Sequence, residues 1–163
     1  MKQIENFLDK NYYIELKEIL TSDKFPWRIR KQMTKPPGDN IYFTYSFYNN
    51  FVQTSELHET LIIPILDKLN AASVIQVRAN LALNELFDRS AFHTDYPYNS
   101  KTAILYFTTC DGGTEFKLNN KIKFVKAQEN KIVIFNSKTP HRAVTSTNSK
   151  TRIILNFNYF EKN

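Results

Sequence analysis

Thr151-Arg152-Ile153-Ile154-Leu155-Asn156-Phe157-Asn158-Tyr159-Phe160 is a strongly alternating stretch. At a period of two, Arg152, Ile154, Asn156 and Asn158 fall on one face and Ile153, Leu155, Phe157 and Tyr159 on the other, the pattern of a β-strand with one apolar face. Shorter runs of β-branched and aromatic residues precede it at 74–83, 101–108, 114–118, 122–125, 131–135 and 143–145. Asp111-Gly112-Gly113 and Asn119-Asn120 read as turns between them, with Gly112-Gly113 placed in a hairpin. Strand following strand in this way predicts a sandwich or barrel.

The amino-terminal part reads differently. Ile4, Phe7, Leu8, Ile14, Leu16, Ile19 and Leu20 predict helical packing over 4–20, interrupted near Asn11, before a Phe25-Pro26-Trp27 turn. Lys35-Pro36-Pro37-Gly38-Asp39-Asn40 is a breaker cluster ahead of an aromatic strand over 41–48. In that strand Tyr42, Thr44, Ser46 and Tyr48 would share one face, and Phe43, Tyr45 and Phe47 the other. A second helix is expected over 55–69, with Thr54 or Ser55 as N-cap and Leu57, Leu61, Ile65, Leu66 and Leu69 on one stripe. The class is therefore mainly β with flanking helices, the helices lying on one outer face of the sheet. One domain over 1–163 is expected, with 1–72 as helical support and first strand and 73–163 as the β core.

Composition bounds the rest. With 163 residues, 42% of them hydrophobic, the chain can bury one sizeable core. Its start lacks the basic and apolar run of a secretory signal, and no window has the length of a membrane span, so a soluble, cytoplasmic protein without a membrane partner is expected. The single cysteine, Cys110, cannot form an internal disulfide, argues against a cysteine-based zinc site, and reads as inert. The net charge of +6 comes from lysines scattered singly, so it does not mark a nucleic-acid surface. Oligomeric state is not legible.

Chemistry enters through the histidines, of which there are three. His93-Thr94-Asp95 in an extended segment would turn His93 and Asp95 inward and Thr94 away, and His141, after the strand at 131–135 and the loop ending in Pro140, would arrive from across the barrel. Two imidazoles and a carboxylate on one side of Fe(II) leave positions open for a co-substrate and dioxygen. Arg152 lies on a face expected to point inward. Leaving its charge buried and unpaired would cost on the order of 3–5 kcal/mol, so an anionic partner is needed, and a carboxylate suits its planar fork. By contrast, His58 has no evident partner, Trp27 reads as core, and Arg142 is expected at the surface or against substrate.

Taken together, Phe92-His93-Thr94-Asp95, Thr102-Ala103-Ile104-Leu105-Tyr106, Gly112-Gly113-Thr114-Glu115-Phe116, Ile134-Phe135 leading to Pro140-His141, and Arg152 resemble the iron(II) and 2-oxoglutarate-dependent dioxygenases. The nearest branch is the prolyl 4-hydroxylase-like one, which includes small stand-alone members encoded by viruses. The resemblance covers roughly 74–160. It implies a double-stranded β-helix (jelly-roll) core, with His93, Asp95 and His141 binding Fe(2+) and Arg152 binding the distal carboxylate of 2-oxoglutarate. Tyr106 stands where related hydroxylases have a tyrosine reaching that carboxylate, and Thr102 and Ile104 would line the same pocket by alternation. Asn158 stands where some peptidyl-proline hydroxylases carry a bulky aromatic, a departure that puts a proline-like substrate in doubt.

The implied activity is hydroxylation of a substrate C–H bond with O2 and 2-oxoglutarate, releasing succinate and CO2. A peptidyl side chain is the first substrate class and a free amino acid or other small metabolite the second; alkylated bases are disfavoured because a second arginine downstream of Arg152 is missing. Tyr96, Tyr98, Asn156 and Asn158 are the substrate-facing candidates, and the segments 96–100 and 31–50 are candidates for a lid or substrate-facing surface. Two rival readings are a jelly-roll binding module without turnover and a metal hydrolase or isomerase on a cupin-like barrel.

Overall fold

The computed structural model describes residues 1–31, 41–84, 88–119 and 121–162. The Lys35–Asn40 breaker cluster, much of the segment 31–50 proposed as a lid, and Asn120 of the predicted turn lie partly or wholly outside these residues. In chain order the elements are β1 (Lys2–Ile4), α1 (Lys10–Thr21), β2 (Arg28–Arg30), β3 (Tyr42–Asn49), β4 (Val52–Gln53), α2 (Leu57–Leu61), α3 (Ile63–Lys68), β5 (Ala71–Leu83), β6 (Lys101–Tyr106), β7 (Gly113–Leu118), β8 (Lys121–Lys126), β9 (Ile132–Asn136), β10 (His141–Val144) and β11 (Thr151–Glu161). No helix among them is long and apolar enough to cross a membrane.

β11 is central to a large antiparallel sheet of order β1-β9-β6-β11-β5-β3-β2, with β4 paired to β3; a smaller sheet has the order β10-β7-β8. The alternation of 151–160 decides how these layers pack. Ile153, Leu155, Phe157 and Tyr159 join Leu16, Leu20, Leu61 and Ile65 in one core, so the helices cover the outer face of the large sheet as expected. Ile154 packs inward with Ile104, Tyr106, Phe116, Val125, Val133 and Phe135, which come from both sheets. Two sheets facing each other across this second core, with helices behind one of them, form the expected jelly roll.

Several local expectations need correction. The helix predicted over 4–20 starts only at Lys10, where the Asp9 carboxylate accepts hydrogen bonds from the Asn11 and Tyr12 amides, and Lys2–Ile4 is an edge strand on β9. The helix predicted over 55–69 is two short helices parted at Ile62, because Pro64 has no amide hydrogen to continue the first. Ser55 Oγ still accepts from the Leu57 amide, whereas the Thr54 hydroxyl donates to Ser46. In β3 a register shift between Ser46 and Tyr48 turns Tyr48 to the helix-covered core beside Phe47, while Tyr42 stays on the pocket face.

Gly112-Gly113 is not a hairpin turn. It carries the chain from β6 in the large sheet to β7 in the small one, and neither glycine has a positive φ. Close approach is the reason for glycine here: a Cβ on Gly113 would lie 2.1 Å from the Val125 carbonyl oxygen, and one on Gly112 would lie 2.7 Å from that of Thr145. Gly113→Ala is expected to destabilise the protein by ~1–3 kcal/mol through this overpacking. Urea unfolding of the purified variant measures it, and an unchanged midpoint would show that the strands can separate freely.

Candidate metal centre and its pocket

His93 and His141 are joined through their backbones before their side chains meet. Each amide donates to the other's carbonyl, at 3.0 and 2.9 Å, in an isolated antiparallel bridge. His141 opens β10 opposite Phe116, and its ring is held between Phe116 and Phe135, with centroids at 6.1 and 4.8 Å. The segment around His93 is otherwise irregular rather than a strand, so Thr94 also lines the pocket instead of turning away. The Asp95 amide donates to the Ser137 carbonyl, which ties the carboxylate-bearing turn to the loop that delivers His141.

The three side chains converge. Nε2 of His93 and Nε2 of His141 each lie 3.5 Å from Oδ1 of Asp95, and one ligand atom from each of the three residues can be chosen with all of them within 4.8 Å of one another. Nδ1 of His141 is 2.9 Å from the Thr139 carbonyl oxygen and Nδ1 of His93 is 3.3 Å from that of Ala91. A carbonyl can only accept, so both protons belong on Nδ1 and both Nε2 lone pairs face Oδ1. The other carboxylate oxygen, Oδ2, accepts from Asn158 Nδ2 at 2.7 Å, Thr102 Oγ1 at 3.0 Å and Asn156 Nδ2 at 3.5 Å. One oxygen is anchored to the large sheet and the other is presented with the imidazoles.

Electrostatics favour an ionised carboxylate. Burial opposes ionisation of Asp95, but the imidazoles beside it, that of His93 first, and the hydrogen bond donated by the Asn158 amide hold it well below the usual range. Burial lowers the His141 pKa, keeping that imidazole neutral, while for His93 the attraction of Asp95 outweighs burial and raises it. Replacing Asn158 by Ala removes the shortest support of Asp95, and metal affinity is expected to fall about 10–100-fold. Calorimetric titration with a divalent metal reads this; an unchanged affinity would mean that Thr102 alone fixes the carboxylate.

A cavity of about 250 Å³ opens over the triad, walled among others by Tyr42, Gln76, Arg78, Asn80, Tyr96, Ile104, Thr114, Arg152, Ile154, Asn156 and Asn158. Arg152 is 4% exposed, and its Nε and Nη1 have no hydrogen-bond partner among the described residues. Tyr106 is fully buried, with its hydroxyl donating to Thr114 Oγ1 at 2.8 Å; burial pushes its pKa up to about 12, so it remains a neutral donor beside the arginine. Ile104 lines the cavity, but Thr102 lies beneath Asp95, bonded to it and to Ser137. Tyr96 reaches the cavity, whereas Tyr98 stacks outside it between Tyr96 and Phe160. Arg142, expected at the surface or against substrate, instead pairs with Glu115 at 2.6 Å and covers the Phe92 ring.

No protein-family profile matches this sequence, and no curated protein matches it. Solved structures do. A prolyl-4-hydroxylase from Pseudomonas putida superposes with a TM-score of 0.73 at 14% identity, over 99% of this chain and 92% of that one. A 2OG-Fe(II) oxygenase family oxidoreductase from Burkholderia pseudomallei gives 0.75 at 11% identity, over 99% and 85%. A prolyl hydroxylase from Trichoplax adhaerens, in complex with a hypoxia inducible factor oxygen degradation domain peptide fragment, gives 0.71 at 13% identity, over 98% and 83%. The chain has the fold of the 2OG-Fe(II) oxygenases. Within this oxygenase fold the triad and Arg152 share one cavity between the two sheets.

Sequence reasoning missed Arg78, Gln76 and Asn80 on the cavity wall, and Ser137 behind Asp95. The alternation of Gln76, Arg78 and Asn80 with Ile75, Val77 and Ala79 was the available signal; what it lacked was the pairing of β5 with β11.

Proposed function

We propose that residues 1–163 act as one Fe(II)- and 2-oxoglutarate-dependent dioxygenase domain that hydroxylates a substrate C–H bond, releasing succinate and CO2. The observation that carries this reading is the pairing, in one cavity, of a two-histidine, one-carboxylate cluster with a buried arginine whose Nε and Nη1 have no hydrogen-bond partner among the described residues. The donor set suits Fe(II), with His93 Nε2, His141 Nε2 and Asp95 Oδ1 as ligands. Arg152 would grip the distal carboxylate of 2-oxoglutarate, with Tyr106 and Thr114 supplying hydroxyls nearby. Iron, 2-oxoglutarate and dioxygen together supply the oxidising power.

The protein's part is geometry and dryness. Asn158 and Thr102 fix Asp95, the two backbone carbonyls fix the imidazole tautomers, and Ile104 and Ile154 exclude water from the wall between Arg152 and the triad. The prolyl hydroxylases of similar fold support a peptidyl side chain as one substrate class. The polar cavity wall of β5, with Gln76, Arg78 and Asn80, supports a substrate that carries charged or hydrogen-bonding groups.

Purified protein supplied with Fe(II), 2-oxoglutarate and oxygen is expected to release succinate slowly without added substrate, and to stop when iron is removed. Succinate-free incubations of folded, iron-loaded protein would count against the assignment, and any turnover independent of 2-oxoglutarate would point to metal hydrolysis or isomerisation.

A further inference from the structure

The cavity contains a second cation that the proposed co-substrate does not use. On β5, Val77 and Ala79 face the helix-covered core, while Gln76, Arg78 and Asn80 face the cavity. The register places Arg78 opposite Asn156 on β11 and opposite Ser46 on β3. Arg152 pairs with Ala82, four residues farther along β5, so the backbone origins of the two arginines are separated by ~13 Å along the sheet. Arg78 thus stands level with Asn156, next to the Asn158 position that supports Asp95, and away from the Arg152 end.

Two atoms at this level are buried without a hydrogen-bond partner among the described residues: Nε of Arg78, a donor, and Oδ1 of Asn156, an acceptor. Arg78 makes no ion pair among the described residues. The orientation of the Asn156 amide follows from its Nδ2, which points to the Asp95 carboxylate. Formal charge leads to the same place. A divalent ion and Arg152 are balanced by Asp95 and a dianionic co-substrate, which leaves Arg78 with one positive charge unmatched.

A half-buried guanidinium whose Nε is buried, level with the buried amide oxygen of half-buried Asn156, is complementary to a carboxylate with an N–H close by. We propose that Arg78 and Asn156 form the substrate subsite, and that the substrate presents an α-carboxylate to Arg78 and its neighbouring N–H to Asn156 Oδ1. A free α-amino acid and the carboxy-terminal residue of a peptide both carry this group. The proposal rests on the dioxygenase reading, since it takes Arg152 to be occupied by 2-oxoglutarate. The alternative is a closed wall, in which Arg78 turns onto Asn156 and the two satisfy each other.

The test uses oxygen-free protein loaded with Fe(II) and 2-oxoglutarate, whose visible chelate band reports substrate arriving beside the metal. Standard L-amino acids, their α-carboxamides and the matching glycyl dipeptides are titrated in turn. At least one amino acid or dipeptide is expected to shift the band, with the corresponding carboxamide binding about tenfold or more weakly, the loss of one charge-assisted contact. Arg78→Met should weaken that binding similarly and Arg78→Lys less, while the band before titration stays as in the parent. A response to free amino acids alone identifies a free substrate, and a response to dipeptides identifies a peptide terminus.

The proposal is overturned if neither the amino acids nor the dipeptides shift the band, if carboxamides bind as well as carboxylates, or if Arg78→Met binds like the parent. Those failures leave the dioxygenase reading intact. Absence of the chelate band in the parent overturns both.

Discussion

Arg152→Met is expected to make the metal-free protein more stable and, at the same time, the metal-loaded protein much less stabilised by 2-oxoglutarate. Arg152 is 4% exposed, burial lowers its pKa, and two of its nitrogens have no hydrogen-bond partner among the described residues. Methionine keeps most of the apolar stem and removes the charge, and replacing buried ionic groups by apolar ones of similar volume gains up to about 1–4 kcal/mol. At ~2–4 °C per kcal/mol for a chain of this size, the melting temperature should rise by several degrees. In the metal-loaded parent, 2-oxoglutarate at about a hundred times its dissociation constant would add a further ~2.7 kcal/mol. The variant should lose most of that increment. Thermal unfolding of both proteins, metal-free, metal-loaded and metal-loaded with 2-oxoglutarate, gives the values. A variant that melts lower and still responds to 2-oxoglutarate would show that Arg152 is structural.

The second large effect is at the metal. Asp95→Ala and His141→Ala each delete a proposed ligand, and affinity for a divalent ion should fall by more than the ~100-fold reached when only an outer partner is lost. Iron-dependent turnover should vanish with it. The Asp95 variant carries a further signature: Asn158 Nδ2 and Thr102 Oγ1 lose their shared acceptor, so the metal-free protein should also lose stability, by ~1–3 kcal/mol. Calorimetric titration and urea unfolding of the same samples separate the two. Metal affinity near that of the parent in either variant would show that these side chains do not form the centre.

Much of this was legible because period-two alternation survives without an alignment. The Ile153–Tyr159 face and the Arg152–Asn158 face lie where the sequence placed them, on either side of the large sheet. The helices over 10–21 and 57–68 were legible from helical apolar spacing instead, though not their exact bounds. The residues that escaped were those whose roles depend on what lies opposite. Thr102, expected to line the co-substrate pocket, supports Asp95 instead, which only the fold brings above it, and Arg78 gains a role only when β5 is paired with β11. Lys2–Ile4 is too short to show a period, and the Ser46/Tyr48 shift reverses the faces of β3 with no glycine to announce it. Gly112-Gly113 was misplaced because glycine has two uses, and only the Val125 and Thr145 carbonyls show that close approach is the one at work.

The most direct measurement is the visible spectrum of the protein with ferrous iron and 2-oxoglutarate in the absence of oxygen, recorded for the parent, His141→Ala and Arg152→Ala. It needs no substrate. The expected result is a weak charge-transfer band in the parent, lost in His141→Ala and weakened in Arg152→Ala. A folded, iron-loaded parent with no band would contradict the dioxygenase assignment and leave a jelly-roll binding module in its place.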